Sequence, residues 1–230
     1  MKAIPNAVVL DLFGTLVGAP AAADRRRAST RLAHRIGSSP GQVEDYFLST
    51  WTTRHDGTLP TVSALAEHLV RWVGASAVDA DLVADELRAI GSDRLVADES
   101  VVQTLVLLRQ MGLKVGVLSD ATAEISECWE TSCLAPLVDA AVFSCTAGAT
   151  KPDRRLYQAI CERLGATANS IVYCGDGGGN ELCGAHDAGM QALGVVRRGG
   201  PDALVFGEKE WNGARISRIE RLPTYVASLV

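Results

Sequence analysis

From residue 101 onward, short β-rich apolar runs alternate with helical stretches, and this alternation limits the chain to very few folds. Val101–Met111 reads as a helix closed by Gly112, and Leu113–Leu118 as a strand. A helix follows from about Ala123, then a strand at Ala141–Ser144, a helix at Pro152–Leu164 and a strand at Ser170–Cys174. Asn180–Ala188 reads as a helix and Gln191–Val196 as a strand. Strands joined through crossover helices run parallel, and a parallel sheet needs both faces covered. The expected fold is α/β, a doubly wound parallel sheet. One more apolar run, Ala7–Leu10, precedes a glycine-containing loop and reads as a further buried strand.

The stretch between these strands has a different character. Ala21–Ile36, Ser39–Thr53, Thr61–Val73 and Asp79–Leu95 show helical periodicity with no strand signal among them. The expected organisation is an α/β core made of residues 1–17 and 98–230, with an all-helical insertion over residues 18–97. Gly199–Asn212 is glycine-rich and reads as a loop. In sheets of this kind ligands sit beyond the carboxyl ends of the strands. Asp11, Ser119 and Asp176 each follow an expected strand, so three polar groups from distant parts of the chain are expected at one edge.

Composition narrows the function classes. The net charge of −5 and the lack of a basic stripe argue against nucleic-acid binding. No apolar stretch approaches the length of a membrane span, and the first ten residues do not resemble a signal peptide. The six cysteines lack paired C-x-x-C spacing, so a zinc site is not expected and free, mostly buried thiols in a reducing cytoplasm are.

Four short motifs fall at the strand ends: Asp11-Leu-Phe-Gly-Thr15, Ser119-Asp120, Lys151-Pro152-Asp153 and Gly175-Asp176-Gly-Gly-Gly-Asn180-Glu181. In order and position they resemble the four motifs of the haloacid dehalogenase superfamily, whose core is Rossmann-like. A helical cap of the C1 type follows the first motif in such relatives. The resemblance implies that Asp11 is a nucleophile forming a covalent ester. It also implies that Ser119 hydrogen-bonds the transferring group and that Lys151 offsets the clustered negative charge. Thr15, Gly14 and Asp120 are expected to shape the substrate-binding loops, Gly14 by permitting a tight turn. Magnesium is the implied cofactor, held by Asp11, the backbone carbonyl of Phe13 and Asp176. Glu181 would bind a metal-bound water or Lys151. Asn180 is expected to cap the following helix, and Pro152 to begin the preceding one.

The chain departs from the phosphatases of that superfamily at Phe13, where they carry an acid that protonates the leaving group. General acid–base help is worth about 10²–10⁴-fold. The first reading is a magnesium-dependent phosphohydrolase of a small phosphorylated metabolite, with a good leaving group or an acid from the cap, for which His55, Glu67 and His68 are candidates. The second is a 2-haloacid dehalogenase, which resembles this chain in its aromatic residue at the Phe13 position and its tyrosine at the Tyr157 position. Arg31, Arg35 or Arg54 would then be the cap arginine, whereas Asp120 and Asp176 argue against it. The third is a weakly catalytic binding relative. Trp51 and Trp72 are expected in the apolar seam of the insertion or against a ligand. A covering cap fits a small-molecule partner, and the oligomeric state is not written in the sequence.

Overall fold

The computed structural model describes residues 4–199, 202, 203, 207 and 210–230. Parts of the expected 199–212 loop therefore lie outside the described residues. The sheet has the order β3-β2-β1-β4-β5-β6, and every neighbouring pair is parallel. Its strands are β1 (Ala7–Leu10), β2 (Lys114–Ser119), β3 (Ala140–Phe143), β4 (Ile171–Gly175), β5 (Gln191–Val195) and β6 (Arg215–Ile216). The two-residue β6 escaped the sequence reading because so short a pair carries no periodicity.

Side chains of a strand alternate between its faces, and both faces here are apolar. Val8 and Leu10 of β1 join Val115, Val117 and Val172 in one core cluster. That face is covered by α6 (Glu99–Gln110) and α11 (Leu222–Ala227), through Leu105, Leu108, Leu222 and Val226. Ala7 and Val9 point the other way, into a cluster with Leu118 and Tyr173. It is closed by α9 (Arg154–Leu164) and α10 (Glu181–Asp187), through Leu156, Ile160, Leu182 and Ala185. Strand order reverses on the two sides of β1, so the crevice beyond Leu10 is the topological switch point.

Five helices lie between β1 and α6: α1 (Ala22–Ile36), α2 (Pro40–Ser49), α3 (Trp51–His55), α4 (Val62–Trp72) and α5 (Ala80–Arg94). Polar side chains set where several helices begin. Ser39 accepts from Gln42 N, Thr61 from Ala64 N and Asp79 from Asp81 N. The expected helix over 39–53 is instead two helices broken at Thr50. The Thr50 hydroxyl donates back to the Tyr46 carbonyl at 2.6 Å, a local bond that competes with the helix ladder. The α9 helix starts at Arg154 rather than at Pro152, because the Asp153 carboxylate accepts from Arg155 N and fixes the cap there. Ser144 belongs to the short α8 (Ser144–Ala147), not to β3. No helix of the described residues is long and apolar enough to cross a membrane.

The insertion has its own apolar core, including Leu32, Val43, Tyr46, Leu65, Leu69 and Leu87, and Ala123 of α7 (Ala123–Cys128) joins it. The α5–α7 contact depends on a glycine. A Cβ on Gly91 would lie 2.7 Å from the Glu124 carbonyl oxygen and 3.0 Å from its carbon. Helix propensity alone favours alanine over glycine by about 1 kcal/mol. Backbone overlap at this joint outweighs that gain, so Gly91→Ala is expected to destabilise the protein by about 1–3 kcal/mol in urea unfolding. A variant as stable as the parent would show that the joint relaxes freely.

Candidate active site

Asp11 follows β1 directly, and one of its oxygens meets the Lys151 ammonium. Lys151 Nζ lies 2.7 Å from Asp11 Oδ1 and 2.5 Å from Glu181 Oε2. The Thr15 hydroxyl reaches Asp11 Oδ2 at 3.3 Å, so it touches the carboxylate itself and not only the loop. Glu181 is fully buried and completely engaged. Its Oε2 also accepts from the Tyr173 hydroxyl at 2.7 Å, and its Oε1 accepts from Gly177 N at 2.9 Å. Tyr157 donates to the Glu181 carbonyl at 3.0 Å. Asp120, at the end of β2, accepts from Lys151 N at 2.9 Å. The ends of β1, β2 and β4 are thus tied together through one lysine.

Burial opposes the charge on Lys151, but Asp11, Glu181 and Asp120 outweigh it and hold its pKa well above the ordinary lysine value. Burial, with Glu181 and Asp176 nearby, pushes the Asp11 carboxyl well up, while Lys151 pulls it down. Cations are therefore what favour the ionised form of Asp11.

Asp176 follows β4. Its Oδ1 accepts from Gly178 N at 2.9 Å, and its Oδ2 is ion-paired with the Arg197 Nε. Gly14 has φ +88, and a Cβ there would fall 2.2 Å from Asp176 Oδ2, so only glycine fits the crevice between the two loops. One carboxylate oxygen each from Asp11, Asp176 and Glu181 lie within 4.8 Å of one another. An all-oxygen set of this kind suits a hard divalent cation such as magnesium.

Above these groups lies a cavity of about 640 Å³. Its floor includes Asp11, Phe13, Asp120, Lys151 and Asp176, and its roof includes Trp51, Arg54, His55 and Arg94 from the insertion. Ser119, Thr15 and Gly14 do not line it; the buried Ser119 hydroxyl sits 3.4 Å from the Asp120 carbonyl. The proposed cap acids fare differently. Burial and Arg54 push the His55 pKa down to about 3, and its Nδ1 lies 2.6 Å from the Trp51 carbonyl, so it is a poor proton donor. Glu67 is exposed and His68 bonds Tyr46, both away from the cavity wall. Trp72 is exposed and packs edge-on against Tyr46. Arg31 pairs with Glu86 and Asp93, and Arg35 pairs with Glu86. Arg54 donates to the Phe47 carbonyl and the Thr50 hydroxyl. Asn180 stands at the start of α10 with φ 55, but its side chain makes no capping bond. Arg94, whose guanidinium lies 4.5 Å above the Phe13 ring, and Arg197 were not found from sequence. Their only sequence signals are an arginine ending an amphipathic helix and another following a strand.

A family model described as haloacid dehalogenase-like hydrolase matches residues 5–189. The chain belongs to this family. Among curated relatives, a phosphatase of Mycobacterium tuberculosis is 42% identical over 93 residues, which is 40% of this chain and 42% of that one. The (S)-2-haloacid dehalogenase 4A of Burkholderia cepacia is 28% identical over 113 residues, 49% of this chain and 48% of that one. Each alignment thus spans less than half of the relative's length. The solved 2-haloacid dehalogenase of Pseudomonas syringae pv. Tomato superposes with a TM-score of 0.72 at 21% identity, covering 98% of this chain and all of the other. That likeness shows a shared fold.

Burial raises the Asp120 pKa from 3.8 to about 6, with Glu181 adding to the rise and Lys151 opposing it. A carboxyl whose pKa is higher when folded favours folding while protonated, and this contribution is lost as pH climbs through the folded value. Asp120→Asn keeps an oxygen to accept from Lys151 N. It is expected to raise stability at pH 7 by about 1–3 kcal/mol relative to its effect at pH 4. Urea unfolding at the two pH values checks this, and a pH-independent difference would contradict the buried carboxyl.

Proposed function

We propose that the protein is a divalent-metal-dependent phosphohydrolase acting on a small phosphorylated metabolite, with Asp11 as nucleophile. The observation that carries this reading is the cluster of Asp11, Asp176 and Glu181 oxygens, Asp11 and Asp176 lining the cavity and Glu181 fully buried beside them. Three carboxylates close together, with Asp176 and Glu181 both fixed by backbone N–H groups, are costly unless cations offset them. When bound, a magnesium ion would withdraw charge from the phosphoryl oxygens, held by Asp11, Asp176 and the Phe13 carbonyl.

In this reading an Asp11 oxygen attacks phosphorus, an O–P bond forms, and the ester bond to the leaving group breaks. Lys151 favours the ionised form of Asp11 and offsets charge on the phosphoryl group. Water then opens the aspartyl phosphate and releases phosphate. The helices of residues 18–97 act as a cap that closes over the floor and excludes water. Ser119 and Asp120 shape the loop facing the phosphoryl group, and Thr15 orients Asp11. His55 is held neutral and so does not stand in for the acid missing at Phe13, and substrates with good leaving groups are favoured.

A second reading, a 2-haloacid dehalogenase, is favoured by one observation: Phe13 is aromatic and lies under Arg94. Halide leaves without a proton, so this reading needs no acid at position 13. Chelation separates the two. Removing divalent metal is expected to abolish turnover and magnesium to restore it, whereas 2-haloacid turnover that persists in excess chelator would overturn the phosphohydrolase reading.

Phe13 supplies a finer test. Phe13→Asp places a proton donor two residues from Asp11 and leaves the backbone carbonyl in place. It is expected to raise kcat/KM for an alkyl phosphate relative to a nitrophenyl phosphate, by a fraction of the roughly 10²–10⁴-fold available from acid–base help. Taking the ratio cancels general packing loss. A flat ratio would show that Phe13 does not stand at the vacant acid position.

A further inference from the structure

One oxygen of Asp176 already faces a cation from the protein. Asp176 has two oxygens, and Oδ1 is committed to Gly178 N. Oδ2 is the oxygen pressed toward Gly14, and hence toward the Asp11 loop. Arg197 Nε is ion-paired to that same oxygen, and the Arg197 Cγ lies 3.2 Å from where a Gly14 Cβ would stand. The guanidinium and the crevice between the Asp11 and Asp176 loops therefore coincide.

The backbone around Arg197 is held. Arg198 N donates to the Gly14 carbonyl at 2.8 Å, and Val196 N donates to Ile216 O at 3.2 Å. Arg197 thus reaches Asp176 from a tether fixed to the nucleophile loop on one side and to β6 on the other. Its side chain is 24% exposed, so solvent leaves it a way out. Arginine carries its charge at every accessible pH, so deprotonation cannot remove it. Asp11, Asp176 and Glu181 carry three negative charges when ionised, and Lys151 with Arg197 returns two of them.

We propose that Arg197 is a tethered cation that competes with the divalent metal for Asp176 and so sets the metal affinity of the site. This rests on the metal reading given above. A ligand that binds only when a competing group has moved away has an apparent affinity reduced by the fraction of time the site is free. With Arg197 docked for most of the time, the reduction is about tenfold or more. The metal site then responds to cation concentration in a range set by one side chain.

The test is direct magnesium binding by titration calorimetry, on the full chain without substrate. Arg197→Met keeps much of the alkyl stem and removes the charge, and Arg197→Gln is a second variant should the first fold poorly. Both are expected to bind magnesium at least tenfold more tightly than the parent, while Arg197→Lys, which keeps the charge, stays near the parent. A gain of affinity is not a result that damage to the fold produces. Unchanged, weaker or absent binding by the neutral variants, or equal tightening by Arg197→Lys, would overturn the proposal. Asp176→Asn separates the two levels of the argument. If it binds magnesium as the parent does, the metal reading of the site fails; if it loses binding while the neutral Arg197 variants gain nothing, only the competition fails.

Discussion

A single buried ammonium organises the floor of this protein. Lys151 has almost no contact with solvent, and its charge is maintained by Asp11 and Glu181 on two sides. Burying an isolated ammonium costs several kcal/mol, and losing either partner would leave an uncompensated charge. The neighbouring order follows from that requirement. Glu181 is immobilised by Tyr173 and Gly177 N, so that its carboxylate stays on Lys151. Asp120 fixes the Lys151 backbone, which aims the side chain at Asp11. Strand ends β1, β2 and β4 are thereby joined by polar contacts at the point where the sheet changes direction.

The helical insertion completes the site from above, and its charges are arranged differently. Arg31 and Arg35 are tied to Glu86, so they stabilise the insertion itself. Arg54 and Arg94 turn toward the cavity, Arg94 lying over the Phe13 ring. Cation–π contact with an aromatic ring is worth about 0.5–2 kcal/mol, more when desolvated. Phe13 thus has a packing role that a carboxylate would not fill. The close α5–α7 approach at Gly91 brings this roof to the core, so the distance between roof and floor depends on one small residue.

The α/β alternation and the helical insertion were legible in the sequence as local periodicity, and the four motifs were legible through their resemblance to the haloacid dehalogenase superfamily. Asp11 and Asp176 follow strands directly, and Lys151, which lies beyond α8, reaches Asp11 across 140 positions of sequence. Side-chain partnerships across segments were not legible. Asn180 has the residue type of a cap, yet its left-handed backbone turns the side chain away from that role. Pro152 suits a first helical turn, but the Asp153 carboxylate defines a later start. His55 has the chemistry of an acid, and its burial beside Arg54 removes it. Arg197 follows an ordinary strand, and only the fold brings it onto Asp176.

The account depends most on Asp11 forming a covalent bond during turnover. Acid quenching of the enzyme in the first turnovers, followed by mass spectrometry of its peptides, tests this directly. The account predicts a phosphoryl group on the peptide containing Asp11, appearing at a rate no slower than product and absent from Asp11→Asn. Steady turnover of a phosphate ester with no adduct on that peptide, or an adduct on another residue, would contradict it.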